Sequence, residues 1–260
     1  MYGICNLSVV SCRKDPSDKS EMVTQLLFGE HFLILEVQNG WSLIKIAYDD
    51  YICWIDNKQF LPIGKHTFDI LNSSANYFSN ELVQIISDDK TSLLFPIVIA
   101  STLPNFDNNE CVVENQNYTY DGAHITGRMP ADLCRINIIE TAMMYLNTPY
   151  LWGGKSPFGI DCSGFTQMVY KLNGIVLKRD AYQQAEQGVT LSFVEEAEAG
   201  DLAFFDNEEG RIVHVGIVMD DNKIIHASGK VRIDGFDHQG IFNNDKKDYS
   251  HRLRLLKRIV

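Results

Sequence analysis

A chain of 260 residues, 45% hydrophobic and 22% charged, is long enough to bury one or more cores and is neither collagen-like nor wholly disordered. Acidic residues outnumber basic ones 34 to 23, and the net charge of -11 argues against a uniform cationic face for nucleic acid or anionic lipid. No run approaches ~18 consecutive apolar residues, so no membrane-spanning helix is expected. The charge is uneven: residues 1–130 carry 8 basic and 16 acidic side chains, residues 131–260 carry 15 and 18, which favours a boundary near 130.

The first residues, Met1-Tyr-Gly-Ile-Cys-Asn-Leu-Ser-Val-Val10, read as a first strand. A secretory leader places basic residues before its apolar core, whereas here the first basic residue is Arg13. A natural start at Met1 implies a cytoplasmic protein; a trimmed leader would imply the cell envelope. Short β-like runs follow: Leu7–Val10, Gln25–Leu27, Phe32–Val37, Trp41–Ala47 and Tyr51–Ile55. Asn39-Gly40 and Asp49-Asp50 supply hairpin turns, so residues 1–61 are expected to form a small barrel. Leu61-Pro-Ile-Gly64 marks its end. Leu82–Ile86, Leu93–Ala100 and Cys111–Val113 predict a second small β domain over 62–130.

From Ala131 the period changes. Leu133, Ile136, Ile139, Ala142, Met143 and Leu146 recur at helical spacing, with Asp132 as a cap, and Asn147-Thr148-Pro149 stops the helix. A Gly- and aromatic-rich loop occupies 150–161. Ser163–Leu172 predicts a second helix and Asp180–Gln187 a short third. Strands are expected at Asp201–Phe205, Val213–Met219, Lys223–Ala227, Val231–Ile233 and Arg252–Val260. Helices followed by an antiparallel sheet make residues 131–260 an α+β domain.

The six cysteines, at 5, 12, 53, 111, 134 and 162, include no CxxC pair and no zinc-type spacing, and most read as buried thiols. Cys162 differs. It stands in Asp161-Cys-Ser-Gly-Phe165 at the start of an apolar helix, where backbone donors and the helix dipole stabilise a thiolate. Catalysis needs an imidazole within reach and a third group to orient it. Both His214, in Arg211-Ile-Val-His-Val-Gly-Ile-Val218, and His226 lie on strands that pair as a hairpin. His214 is assigned as the base and His226 as the orienting residue. The chemistry needs no metal or other cofactor, and Asp234–His238, the Asp/His-rich stretch, reads as a polar loop.

Pro149-Tyr-Leu-Trp-Gly-Gly-Lys-Ser-Pro-Phe-Gly-Ile-Asp-Cys-Ser-Gly-Phe165 closely resembles the NlpC/P60 cysteine peptidase family. Gly200-Asp-Leu202, His214-Val-Gly-Ile217 and His226-Ala-Ser228 follow in the family's order. The resemblance covers about residues 131–260 and implies a papain-like catalytic domain. The Trp41–Trp54 segment, and more loosely residues 62–125, resemble the two SH3-like β-barrel domains of its γ-D-glutamyl-L-diamino acid endopeptidases. In that subgroup the first SH3-like domain closes one side of the active site.

What the resemblance implies is hydrolysis of the γ-D-glutamyl bond in murein stem peptides with a free N-terminal L-Ala, releasing L-Ala-D-Glu in cell-wall peptide recycling. Tyr150 is implied as an oxyanion donor, and Glu21 and Tyr51 as the receivers of the L-Ala ammonium. Trp152 would wall the pocket, Ser163 would bind the D-Glu α-carboxylate, and Asp161 or Asp180 would accept from a substrate amide or amine. Ala181 departs from the serine expected after Asp180. The same Cys-His machinery also serves wall-remodelling peptidases, amidases and acyltransferases, and the SH3-like part alone would suit a noncatalytic murein-binding module. Neither nucleic acid nor membrane is an expected partner, and the oligomeric state stays open.

Overall fold

The structure is a computed structural model that describes residues 1–74, 77–127 and 131–259. The side chains at 131–134 and 136 lie outside the described residues. So do the expected cap Asp132, the apolar positions Leu133 and Ile136, Cys134, and Val260 at the end of the expected last strand. The chain forms two compact units, one of Met1–Gly127 with Trp152–Pro157, the other of Arg128–Leu151 with Phe158–Val260. Among the described residues no helix is long and apolar enough to cross a membrane.

The first unit opens with a seven-stranded antiparallel sheet. Its order in space is Met22–Leu27, Val9–Arg13, Ile52–Asp56, Trp41–Ile46, His31–Gln38, Tyr2–Ile4 and Leu61–Ile63. Alternation along Trp41–Ile46 and Val9–Arg13 turns Ile44, Ile46, Val10 and Cys12 into one core with Leu26 and Phe32. Asn39 and Gly40 both take positive φ, 50° and 84°, at the two-residue turn joining Gln38 to Trp41. That is the backbone twist a tight hairpin needs.

The expected break at 61 cuts a strand, because Leu61–Ile63 pairs with Tyr2–Ile4 and completes the sheet. Nor does 62–130 form one barrel. The helix Lys65–Ser73 is followed by a four-stranded sheet and a separate three-stranded one. That helix escaped the sequence pattern because only Leu71 of its nine residues is buried. Phe28 joins the second region's core, with its ring 5.3 Å from that of Tyr118 and its carbonyl accepting from Thr102 N–H at 2.9 Å. Gly29, at φ 77°, lets the backbones meet, since a Cβ there would lie 2.0 Å from Thr102 O. Residues 1–127 therefore share one unit instead of forming two.

In the second unit, the helices Ala131–Met144, Cys162–Leu172 and Ala181–Gln184 accompany a sheet ordered Val189–Leu191, Asp248–Arg258, Leu202–Asp206, Ile212–Met219, Lys223–Ser228, Lys230–Phe236 and Gly240–Asn243. Asp248–Arg258 pairs with Leu202–Asp206 along one part of its length and with Gly240–Asn243 along another. Six strands thus close on themselves, and the unit is more β-rich than the expected succession of helices and open sheet. The expected polar loop 234–238 is largely strand, with Asp234 and Phe236 buried. Cys162–Leu172 is buried along its whole length and packs on the strands that carry His214 and His226.

The segment Trp152–Pro157 is anchored in the first unit by a buried ion pair. Lys155 Nζ lies 3.1 Å from both carboxylate oxygens of Glu30, and both side chains are 1% exposed. Glu30 also accepts from Leu27 N–H at 3.0 Å, and Gln25 Oε1 accepts from Lys155 N–H at 2.7 Å. Replacing one partner strands a buried charge. Lys155→Met is expected to lower unfolding free energy by about 3–5 kcal/mol, and Lys155→Met with Glu30→Gln by distinctly less. Urea unfolding of both variants checks this, and equal losses would contradict it.

Candidate active site

Cys162 is the first residue of its helix. Asp161 caps that helix, its Oδ1 accepting from Gly164 N–H at 2.6 Å. The thiol is buried, and the backbone N–H groups of Val215 and Ser163 point at the sulfur. Burial, followed by the charge of Asp161, pushes the thiol up to about 12 against the pull of those donors and of Arg179. A raised thiol gives up its proton only with help from a base.

His214 stands on Ile212–Met219, immediately before Val215, whose N–H faces the sulfur. Gly216 pairs directly with His226 on Lys223–Ser228. His214 Nε2 and His226 Nδ1 are 2.9 Å apart, with the rings nearly perpendicular. His226 Nε2 lies 3.1 Å from Asp234 Oδ2. Arg232 Nη2 donates to Asp234 Oδ1 at 2.8 Å and lies 2.8 Å from Asp245 Oδ2, while Arg232 Nε is 2.7 Å from Asp234 Oδ2. Burial opposes charge on Asp234, yet hydrogen bonds from His226, Arg232 and Asn244 N–H hold its carboxyl down at about 2.

A third imidazole, His251, stacks on His214 with ring centroids 4.1 Å apart and planes 22° apart. Burial, then the neighbouring His226 and His251, drives His214 well below the usual histidine range. Burial, then His226, lowers His251 to about 4. The ligand atoms of the three histidines lie within 4.8 Å of one another, close enough for a metal ion. In the structure His214 Nε2 and His226 Nδ1 bond each other, and His251 Nδ1 lies 2.9 Å from Ser250 Oγ.

Tyr150 is positioned by its N–H, which donates to Gly229 O at 3.0 Å, and by a bridge to Ile160. Burial, then the charges of Cys162 and Asp161, keeps its phenol protonated and able to donate. Cys162, His214, His226 and Tyr150 therefore all belong to the second unit. Glu21, Tyr51 and Trp152 belong to the first. There Trp152 Nε1 donates to Glu21 Oε1 at 2.8 Å, with the indole 61% exposed, and Tyr51 is half-buried against the barrel core.

Two expected substrate contacts, Asp161 and Ser163, also have partners within the protein. Asp161 receives Arg179 in two-pronged fashion, Nη1 to Oδ1 at 3.0 Å and Nη2 to Oδ2 at 2.7 Å, besides capping its helix. The carboxylate thus ties the start of the Cys162 helix to Arg179. Ser163 Oγ accepts from the same Arg179 Nη1 at 3.0 Å, so serine and arginine stand side by side at the start of the Cys162 helix. Asp180 precedes the helix Ala181–Gln184, where its N–H donates to Gln183 Oε1 at 3.0 Å and its carbonyl accepts from Gln183 N–H. Ala181 is buried where a hydroxyl was expected.

Sequence reasoning missed Arg179, Asp234 and His251. Asp234 had a signal: Arg232 lies opposite His226, so Asp234, two residues on, shares its face. His251 had none, because it reaches His214 only through closure of the sheet.

Both His214 and His251 titrate lower in the fold than the ~6.5 of an unfolded chain. Below that pH the unfolded chain binds more protons, so this share of stability is complete above ~6.5 and is lost as pH falls toward the folded values. Tm is expected to drop from pH 7 to pH 4.5, and His251→Gln to flatten part of that slope. A Tm constant across the window in scanning calorimetry would contradict the burial of neutral imidazoles.

Residues 147–248 match the NlpC/P60 family, and residues 12–60 match the bacterial dipeptidyl-peptidase SH3 domain. A protein of Bacillus cereus (strain ATCC 10987 / NRS 248) named gamma-D-glutamyl-L-lysine dipeptidyl-peptidase is 41% identical over 240 residues, covering 81% of this chain and 68% of that one. Dipeptidyl-peptidase 6 of Lysinibacillus sphaericus is 29% identical over 250 residues, covering 86% and 88%. The crystal structure of an NlpC/P60 family protein from Bacillus cereus ATCC 10987 superposes with a TM-score of 0.82 at 20% identity, over 100% of this chain and 99% of that one, a likeness of fold. With the family's nucleophile helix, its histidine strands and an SH3 domain ahead of them, the chain belongs to the NlpC/P60 peptidase family.

Proposed function

We propose that the protein is a cysteine endopeptidase that hydrolyses the γ-D-glutamyl–L-diamino acid bond of murein stem peptides with a free N-terminal L-Ala, releasing L-Ala-D-Glu for recycling. The observation that carries this reading is the buried chain His214–His226–Asp234, with Val215, next to His214, aiming its N–H at the Cys162 sulfur. The names of the Bacillus cereus and Lysinibacillus relatives support the bond and the dipeptide product.

In this mechanism the Cys162 sulfur attacks the γ-carbonyl carbon of D-Glu while its proton passes to His214. A neutral imidazole is ready for that proton at neutral pH, since burial disfavours its charged form. The carbonyl oxygen becomes an oxyanion in a buried setting, where the Tyr150 phenol and the N–H groups at the helix start serve as donors. Collapse breaks the C–N bond, and His214 returns the proton to the leaving amine of the diamino acid. His214 then takes a proton from water, whose oxygen attacks the thioester, and Cys162 is released as a thiol with L-Ala-D-Glu.

Within the first unit, the Glu21 carboxylate held by the Trp152 indole is our candidate receiver of the substrate ammonium, with Tyr51 beside the barrel core as its companion. A carboxylate acceptor favours a free amine over an acetylated or glycan-linked one.

Mass spectrometry of L-Ala-γ-D-Glu-meso-diaminopimelate and of the L-lysine peptide, each beside its N-acetylated form, tests the reading. Cleavage of the free-amine peptides alone, with release of L-Ala-D-Glu, is expected. Cys162→Ala is expected to abolish turnover with an unchanged circular dichroism spectrum, and activity near the parent level would sink the assignment. Glu21→Gln is expected to lower kcat/KM for the free-amine peptide about tenfold, or ~1.4 kcal/mol, without improving cleavage of the acetylated one. An equal loss on blocked and unblocked peptides would remove Glu21 from substrate selection.

A further inference from the structure

The hydrogen bonds behind His214 form a chain with one end of fixed polarity. Asp234 is buried, and its carboxylate accepts from Arg232 Nη2 at 2.8 Å and from Asn244 N–H at 3.4 Å. A carboxylate has no proton to give. Its partner 3.1 Å away, His226 Nε2, must therefore carry the hydrogen of that bond. A neutral imidazole has one N–H, so His226 Nδ1 is left bare and can only accept. The group facing it at 2.9 Å, His214 Nε2, must then donate. This leaves the lone pair of His214 on Nδ1.

We propose that Asp234 is a positioning residue which, acting through His226, fixes His214 in the tautomer that leaves Nδ1 free to take the Cys162 proton. The proposal rests on the assignment of His214 as the base. Asp234 touches no reacting atom, and the information it transmits is the direction of two hydrogen bonds. The direction of the second bond follows from a single ring hydrogen on His226, at Nε2. Arg232, bridging Asp234 and Asp245, holds the carboxylate in the orientation that this requires.

Asp234→Asn preserves shape but supplies a donor. Arg232 Nη2 and Asn244 N–H donate to Oδ1, whereas Arg232 Nε, 2.7 Å from Oδ2, makes no hydrogen bond there, so the amide oxygen is favoured at Oδ1 and the amide NH2 faces His226 Nε2. Each bond reverses and the His214 hydrogen moves to Nδ1. A wrong tautomer behind an otherwise intact base costs on the order of 10⁴ in kcat in a serine triad. Asp234→Asn is expected to lower kcat by about 10²–10⁴ with a small change in KM. His226→Asn provides the control. Asparagine places its amide oxygen where Nδ1 stood and accepts from His214 Nε2 whatever occupies 234. In that background Asp234→Asn is expected to change kcat by less than about threefold.

The 260-residue chain, labelled with ¹⁵N at histidine, reads the tautomer directly. The His214 hydrogen is expected on Nε2 in the parent protein and on Nδ1 in Asp234→Asn. A parent His214 protonated on Nδ1, an unchanged tautomer in Asp234→Asn, or an equal loss of kcat in both backgrounds overturns the proposal. The spectrum needs no substrate, so failure of the peptides to be cut would count against the proposed function and leave the tautomer test standing.

Discussion

A side chain at position 216 would bring its Cβ within 2.9 Å of His226 Cβ and 2.8 Å of Ile224 Cδ1. The absence of one lets two neighbouring strands carry their imidazoles into hydrogen-bond contact, and the site depends on that approach. Val215 turns its N–H to the Cys162 sulfur on one side of Gly216's own strand. On the other side of the hairpin, the strand from Lys230 to Phe236 brings a carboxylate to the far nitrogen of His226. A glycine inside a strand ordinarily weakens it, but here the missing side chain is what the geometry requires.

Burial sets the electrical state of these groups. It raises the thiol to about 12 and lowers His214 and His251, which favours the uncharged form of all three. Permanent charge is confined to two places where partners are close: Asp161 with Arg179 at the helix start, and Asp234 with Arg232 behind the histidines. Each anchored carboxylate takes up donors that would otherwise be free to rotate. Asp161 fixes the end of the helix that presents the sulfur, and Asp234 fixes the direction of the bonds behind the imidazole. An uncharged pair of reactants flanked by fixed charges does not have to reorganise water before the proton moves.

The first unit solves a separate problem by similar means. A loop that follows Tyr150 in sequence, Trp152–Pro157, is held there by Lys155 on Glu30 and by the Trp152 indole on Glu21. Gly153, at φ 75°, accommodates the close approach, since a Cβ would lie 2.5 Å from Met22 O. Gly153 and Lys155 therefore have structural reasons of their own, beside any part the tryptophan plays in binding.

The local pattern alone exposed the hairpin at Asn39-Gly40, the nucleophile helix after Asp161 and the strands bearing His214 and His226. Each is governed by interactions a few residues long: a turn that needs positive φ, a cap three residues from its donor, an alternation of period two. The nearest-neighbour pairing of His214 with His226 was legible for the same reason, because one hairpin joins them. The rest depended on distant segments meeting. Phe28 enters the core of the following region, so residues 1–127 share one unit where the boundary signals suggested two. Arg179, sixteen residues beyond Ser163, is brought beside Asp161 and Ser163 by the fold, a partnership that the local pattern did not show. His251 reaches His214 because the last strand closes the sheet, and Asp234 is buried for the same reason. By itself the sequence determined the short elements and which cysteine and histidines stand on them; only the tertiary structure decided their hydrogen-bond partners and charge states, because these depend on which remote side chains exclude water from them.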